Sequence, residues 1–400
     1  MIKRENKGTL EEYIYLLTVI LSVLFIGSNY TFATIITLLF LLLIIIFKEM
    51  GNFKIPKMVF ILAGYLCLIS FQIIIFPSKY FDLQVAFKEL QRMSIYILIM
   101  LIVDNTSVKE RRFIKVWNTI FIFSLVIAIL QFYKLFGINN ILENLYGSSI
   151  YLEIASKYMT LKNFRAGSIF INPNSYAKFI VLYISLYITV FYRINKKNKR
   201  IIMAFLILLS LILAGSRTGL VLSIILLLNK FILNIIKRKI NIKRHYMLLI
   251  PIISLVTLFS IFFITSLDVF EIENIRIIKL LAGISNSISY KYETFGTILN
   301  DFNILNIFIG LGTFKNDLWG ITLIDFDFGY QIAFYGFAGI TFYILMIRDF
   351  LNKKQKEFDY KVFYNSLIIV FILFGFSGGI FFNLSFFSMF LTLMYSNITK

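Results

Sequence analysis

Three arginines in this chain stand where they could grip phosphate oxygens: Arg165 in "FRAGSIF", Arg217 in "AGSRTGL" and Arg276 in "ENIRIIK". Arg92, Lys279 and Lys291 add positive charge, and Asp325 and Asp327 lie two residues apart in "LIDFDFGYQIAFYGFAGI". A guanidinium presents its donors as a planar fork that matches phosphate oxygens in pairs. A carboxylate nearby can take a proton from an attacking hydroxyl. Apolar residues flank most of these charges. Cations and a carboxylate at the edge of apolar surface point to an anionic lipid substrate, such as a lipid diphosphate.

The elements that must position these groups are written in the composition. Of 400 residues, 59% are hydrophobic and only 15% charged, with a mean hydropathy of +0.83. Long apolar runs recur from end to end. That pattern reads as one all-α polytopic membrane domain over residues 1–400. Twelve spans are expected near 13–28, 31–47, 58–76, 89–103, 114–136, 175–192, 201–215, 218–236, 246–266, 327–347, 362–378 and 380–396. Glu11 and Glu12 separate the basic N-terminal residues from the first apolar run, and no small-residue cleavage site follows, so that run is expected to be an uncleaved helix. The single cysteine, Cys67, and the single histidine, His245, give no disulfide framework and no thiol- or imidazole-based metal site. No cofactor is called for.

A net charge of +19 would suggest nucleic acid in a soluble protein. Here "KEMGNFKIPK", "DNTSVKERRFIK", "RINKKNKR", "KRKINIKRH" and "RDFLNKKQKEFDYK" all fall on one side, together with both termini. Nearly the whole net charge then sits on that side, which the positive-inside rule makes cytoplasmic. Nucleic acid is not needed to explain it.

The same rule places Arg217. The basic runs before Ile201 and after Ile236 both belong inside. One helix between them would be about 54 Å long, too long for a single crossing. A hairpin puts "AGSRTG" at the outer boundary, with Gly215 and Gly219 allowing the turn and Ser216 capping the next helix. Two outer segments are long, 137–174 and 267–326. The second is amphipathic or apolar along much of its length, and is expected to pack over the spans as a lid.

The stretches "FRAGSIFINPNSYAKF" (164–179), "AGSRTGL" (214–220), "NIFIGLGTF" (306–314) and "DFDFGYQIAFYGFAGI" (325–340) occur in the order and places expected of the O-antigen ligase/polymerase family. Most closely the chain resembles the polysaccharide repeat-unit polymerases of the Wzy type. The resemblance implies a metal-independent glycosyltransferase with the C-type membrane fold, at the outer face of the bacterial cytoplasmic membrane. Its donor would be a growing glycan on undecaprenyl diphosphate, and its acceptor the next lipid-linked repeat unit of an O-antigen or capsule. A flippase and a chain-length regulator are the partners such an enzyme would meet. By position, Arg165 and Arg217 would bind the diphosphate and stabilise its leaving charge. Asp325 stands where ligases begin the motif with a histidine, and would be the base. Arg276 or Lys291 would be a second clamp, with Asp327 and Asn174 lining the substrate.

Simpler roles stand beside these. Asn172-Pro173-Asn174 reads equally as the turn that starts the sixth span. Gly336 and Gly339 read as sites of close helix packing. Tyr330 and Tyr335 read as interfacial belt residues rather than sugar platforms. Two other functions remain open: a ligase that passes finished glycan to another acceptor, and a flippase or secondary transporter. Transporters usually show repeats and ionisable groups near the bilayer midplane. Neither is visible in the sequence.

Overall fold

The computed structural model describes residues 2–25, 31–49, 51–75, 82–147, 165–170, 172–239, 302–312, 327–353, 358–377, 381 and 383–399. The described chain is mostly helical. The helices are α1 (Ile2–Ile20, continued by a π turn, Leu21–Phe25), α2 (Thr31–Lys48), α3 (Lys57–Ile75), α4 (Leu83–Asp104) and α5 (Glu110–Phe132). They continue with α6 (Ile138–Tyr146), α7 (Pro173–Leu186, extended by a π turn, Tyr187–Phe191, and Tyr192–Ile194), α8 (Lys197–Ala214) and α9 (Arg217–Lys239). The last four are α10 (Ile304–Ile309), α11 (Asp327–Asn352), α12 (Phe358–Ser377) and α13 (Leu384–Tyr395). Two short strands, β1 (Ser107–Lys109) and β2 (Asn397–Thr399), pair in parallel. The expected ninth span and most of the second long loop lie outside the described residues.

Helices α2, α3, α5, α7 with its extension, and α11 are long and apolar enough to cross a membrane, by length and composition. Burial makes the same case. On α2 the stripe Thr34, Leu38, Leu41 and Ile45 faces the bundle, while Phe32, Phe40, Leu43 and Phe47 are exposed. Exposed apolar faces of this extent are an aggregation hazard in water and ordinary in lipid. Inside, buried hydroxyls return to the carbonyl one turn back, as Thr18, Ser22, Ser185 and Thr189 do.

α4 begins six residues before the expected fourth span. Asp82 caps it, accepting from the backbone N–H groups of Gln84 at 2.8 Å and Val85 at 3.2 Å. Glu89 and Arg92 are therefore inside the bundle rather than at the span's edge. At 1.5 Å per residue, Arg92 lies roughly 13 Å along the helix from Leu83 and roughly 18 Å from Asp104.

α11 is not the single crossing expected over 327–347. Gly336 sits at φ 59°, ψ −149°, and the helix doubles back there. In a straight helix residues 327 and 343 would be about 24 Å apart. Here the Tyr343 hydroxyl donates to Asp327 Oδ2 at 3.2 Å, and the rings of Phe328 and Tyr343 are 5.2 Å apart. The Tyr65 hydroxyl reaches both Gln331 Oε1 at 2.8 Å and the Gly339 carbonyl at 3.0 Å. The arm 327–335 and the limb 337–352 are thus antiparallel neighbours. By composition the whole helix passes as a span; by geometry only the limb can.

The two termini meet on one face. β2 pairs with β1, in the link between α4 and α5. The Tyr15 hydroxyl bonds Ser396 Oγ at 2.9 Å, and Glu11 accepts from Lys48 at 2.6 Å and from the Ser107 backbone at 3.0 Å. Burial pushes the Glu11 carboxyl up, but these hydrogen bonds more than offset it and hold it below its ordinary value. Lys353 donates to the Met394 carbonyl and lies 3.7 Å from the Tyr395 ring centroid. Burial pulls its amine down to about 7, against the opposing pull of Asp104 and Asp349.

Candidate functional site

Two of the four sequence motifs meet at Arg165. Its Nε donates to the Ala214 carbonyl at 3.0 Å and its Nη2 to Asn174 Oδ1 at 2.8 Å. The Ala166 N–H donates to the Leu213 carbonyl at 2.9 Å. Residues 165–166 thus run beside the end of α8, over the turn that leads into Arg217. Gly215 makes that turn at φ 55°, and a Cβ there would lie 3.1 Å from Arg165 Cγ. Ser216 caps α9, its Oγ accepting from the Gly219 N–H at 3.3 Å, as its position suggests. Gly219 plays another part than the expected one: it lets α9 approach α7, where an added Cβ would sit 2.9 Å from that of Ala177.

The segment 165–170 is pinned from below. Gln131 on α5 accepts from the Ser168 N–H at 2.6 Å, and the Ser168 hydroxyl donates to the Ser124 carbonyl. α6 buries Ile138, Leu142 and Tyr146 on one face, and Tyr146 donates to the Ile169 carbonyl. On the far side Asn172 caps α7 with Pro173 in its first turn, Oδ1 accepting from the Asn174 N–H at 2.8 Å. The Asn-Pro-Asn stretch is therefore a helix start, and its last residue also holds Arg165.

The other two motifs interlock at the fold of α11. A Cβ on Gly310 would lie 2.3 Å from the carbonyl carbon of Phe334, and one on Gly336 would lie 2.5 Å from the Gly310 nitrogen. The Leu311 N–H donates to the Ala333 carbonyl at 2.8 Å. Gln72, from the apolar α3, donates to both the Ile309 carbonyl at 2.6 Å and the Phe334 carbonyl at 2.7 Å. One side-chain amide thus satisfies carbonyls that the break leaves exposed, as backbone within lipid requires.

Beneath lies a buried charged centre, where Arg92 and Asp327, expected at the edge of apolar surface, are instead held inside the bundle. Arg92 donates to Glu89 and, at 3.1 Å, to the Tyr330 hydroxyl; the Tyr335 hydroxyl donates to Glu89 Oε2 at 3.0 Å. The Arg92 guanidinium also lies 5.6 Å from the Phe381 ring centroid. Tyr330 and Tyr335 are buried, not belt residues as expected. Asp327 is fully buried and accepts from the Phe381 N–H at 3.0 Å as well as from Tyr343. Two residues on, Asn383 donates to Ser175 Oγ at 3.1 Å, next to Asn174. Lys178, also buried, lies 5.7 Å and 5.9 Å from the Phe374 and Phe386 rings. Phe381 and Asn383 therefore join the charged centre to the Arg165 cradle. The signal available in sequence was Glu89 and Arg92 at i,i+3 spacing, the helical neighbour distance.

Of the residues singled out, Arg165 and Asn174 are in contact, and Arg217 opens the helix beside them. Asp327 is inside the bundle, bonded to Tyr343 and Phe381 rather than open at a mouth. Asp325, Arg276 and Lys291 lie outside the described residues. No family model matches the chain, and no curated protein matches it.

Proposed function

We propose that the chain is an integral-membrane polymerase that joins oligosaccharide repeat units carried on undecaprenyl diphosphate into a surface polysaccharide. It crosses a bacterial cytoplasmic membrane about twelve times, with both termini inside and the Arg165 cradle outside. The limb 337–352 alone makes the tenth crossing. An acceptor sugar hydroxyl attacks the anomeric carbon of the donor. The bond from that carbon to the diphosphate breaks, and the lipid diphosphate leaves. Arg165 and Arg217 hold the leaving charge, and Asp325 takes the hydroxyl proton.

The observation that supports this best is the placement of Arg165 on the turn that Arg217 opens, with Asn174 orienting the guanidinium. The test is incubation of purified full-length protein with a lipid-linked repeat unit. A ladder of oligomers is expected, and none from R217A of equal protein level. A normal ladder from R217A refutes the assignment.

One observation favours a second reading, a flippase or transporter. α11 doubles back, and Glu89, Arg92 and Asp327 are buried within the bundle, features shared with discontinuous helices at transport sites. In cells lacking the protein, lipid-linked single repeats accumulate outside the membrane under the first reading and inside under the second.

A further inference from the structure

A separate cluster of cations lies far from the Arg165 cradle, at the other end of α8 and past the middle of α9. Arg200 is the fourth residue of α8, and Lys230 lies thirteen residues beyond the start of α9. At 1.5 Å per residue that is roughly 20 Å down α9 from Arg217. Both cations close on one ring. The Arg200 guanidinium and the Lys230 amine are each 4.1 Å from the centroid of Tyr192. The two positive charges are therefore no more than about 8 Å apart.

Their hydrogen bonds account for little of this. Arg200 uses Nε on the Asn195 carbonyl at 2.7 Å, and its backbone carbonyl accepts from Tyr187 at 2.7 Å. Among the described residues, neither the two Nη groups of Arg200 nor the amine of Lys230 has a hydrogen bond or an ion pair. Asp359 acts on Lys230 from beyond ion-pair distance, and is 3.6 Å from Arg193 instead. Glu110 is likewise engaged by Arg193 and Tyr360. Glu110 and Asp359 thus both serve Arg193, and two like charges share one ring with no carboxylate among the described residues in an ion pair with either. The ring's quadrupole attracts each cation but does not cancel their mutual repulsion.

Apolar surface begins immediately beside them. Ile201, Ile202, Phe205 and Leu208 on α8, and Leu227 and Leu228 on α9, are exposed. A ligand that fits carries a phosphate at one end and hydrocarbon at the other. Two charge-assisted hydrogen bonds of about 2.8 Å, with one phosphate between them, span the gap between the cations. Basic pockets between helices at this level suit anionic lipid headgroups.

We infer that Arg200, Lys230 and Tyr192 form a headgroup site for an anionic phospholipid of the leaflet that this face meets, with an acyl chain laid along α8 and α9. The site is independent of the proposed catalytic reading, since none of its residues belongs to the Arg165 cradle.

Phosphatidylglycerol binding to the purified full-length protein tests this, read by native mass spectrometry after delipidation, with phosphatidylcholine and inorganic phosphate as separate arms. Phosphatidylglycerol should bind, and R200Q and K230Q should each weaken it about fivefold, the effect of one basic residue at a membrane surface. R200K, which keeps the charge, should retain most of the binding and shows that loss in R200Q is not misfolding. The exposed pair K197Q/K199Q, in the first turn of the same helix, should change it less than twofold. Equal losses from K197Q/K199Q, equal binding of phosphatidylcholine, or displacement of the lipid by millimolar inorganic phosphate would each overturn the inference.

Discussion

Replacing Gly336 by alanine separates a doubled-back α11 from a straight one by the sign of its effect. In a straight helix, glycine-to-alanine in the interior stabilises by about 1 kcal/mol, because alanine loses less backbone entropy. In the structure, Gly336 holds φ 59°, ψ −149°, a conformation open essentially to glycine alone. Forcing a side chain into it costs about 1–3 kcal/mol. The new methyl would also meet backbone on three sides: the Gly310 nitrogen at 2.5 Å, the Ile307 carbonyl oxygen at 2.7 Å and the Ile309 nitrogen at 2.7 Å. None of these is the movable end of a side chain. Overpacking of this kind adds about 1–3 kcal/mol, so the whole loss is on the order of 4 kcal/mol. Gly51 is the control. It has φ 93° but open space around an added Cβ, so G51A carries strain alone. The assay is the thermal unfolding midpoint of the purified protein in detergent, followed by loss of helical circular dichroism. G336A should fall well below wild type and below G51A. A G336A midpoint at or above that of wild type would mean that α11 runs straight, and that the interlock with α10 does not exist.

Removing Arg92 leaves Glu89 buried with its main partner gone, and R92A should lose about 3–5 kcal/mol. The paired change E89Q/R92M should recover much of that in a double-mutant cycle of unfolding free energies; strictly additive losses would show that the two do not interact. Lys353, held down to about 7, gives up its proton in the folded state while the unfolded chain still holds one. Stability should therefore rise with pH from about 7 to about 10. K353M should flatten that slope in melts across the same range, and an unchanged slope would contradict it. D82A removes the acceptor for two N–H groups at the start of α4 and should cost about 1 kcal/mol, whereas D82N should restore most of it; equal melts for both would argue that the cap is not made. R165K keeps the charge but not the fork that reaches both Ala214 and Asn174. Polymer yield from R165K should fall about tenfold in the ladder assay, and full activity would show that charge alone suffices there.

What could be read from the chain was whatever a residue decides within its own turn. Asn172 with Pro173 starts a helix because a short side-chain acceptor and a missing N–H suit a first turn, and Ser216 after Gly215 does the same for α9. The fold of α11 could not be read this way. Hydropathy is a sum over residues, and it is the same whether the run is straight or doubled on itself. What tells the two apart is the backbone of one glycine and a carbonyl freed beside it, that of Phe334, which is met from α3 by Gln72, 262 residues away in sequence. The burial of Glu89 and Arg92 could not be read for a related reason. Charges ordinarily mark the end of a span, yet a pair one turn apart can neutralise itself inside one. Gln72 shows where the missing information lay. An amide in an otherwise apolar helix must find partners inside the protein, because lipid supplies none. Its presence therefore announces that irregular backbone packs against α3, but which backbone is fixed only by the tertiary fold.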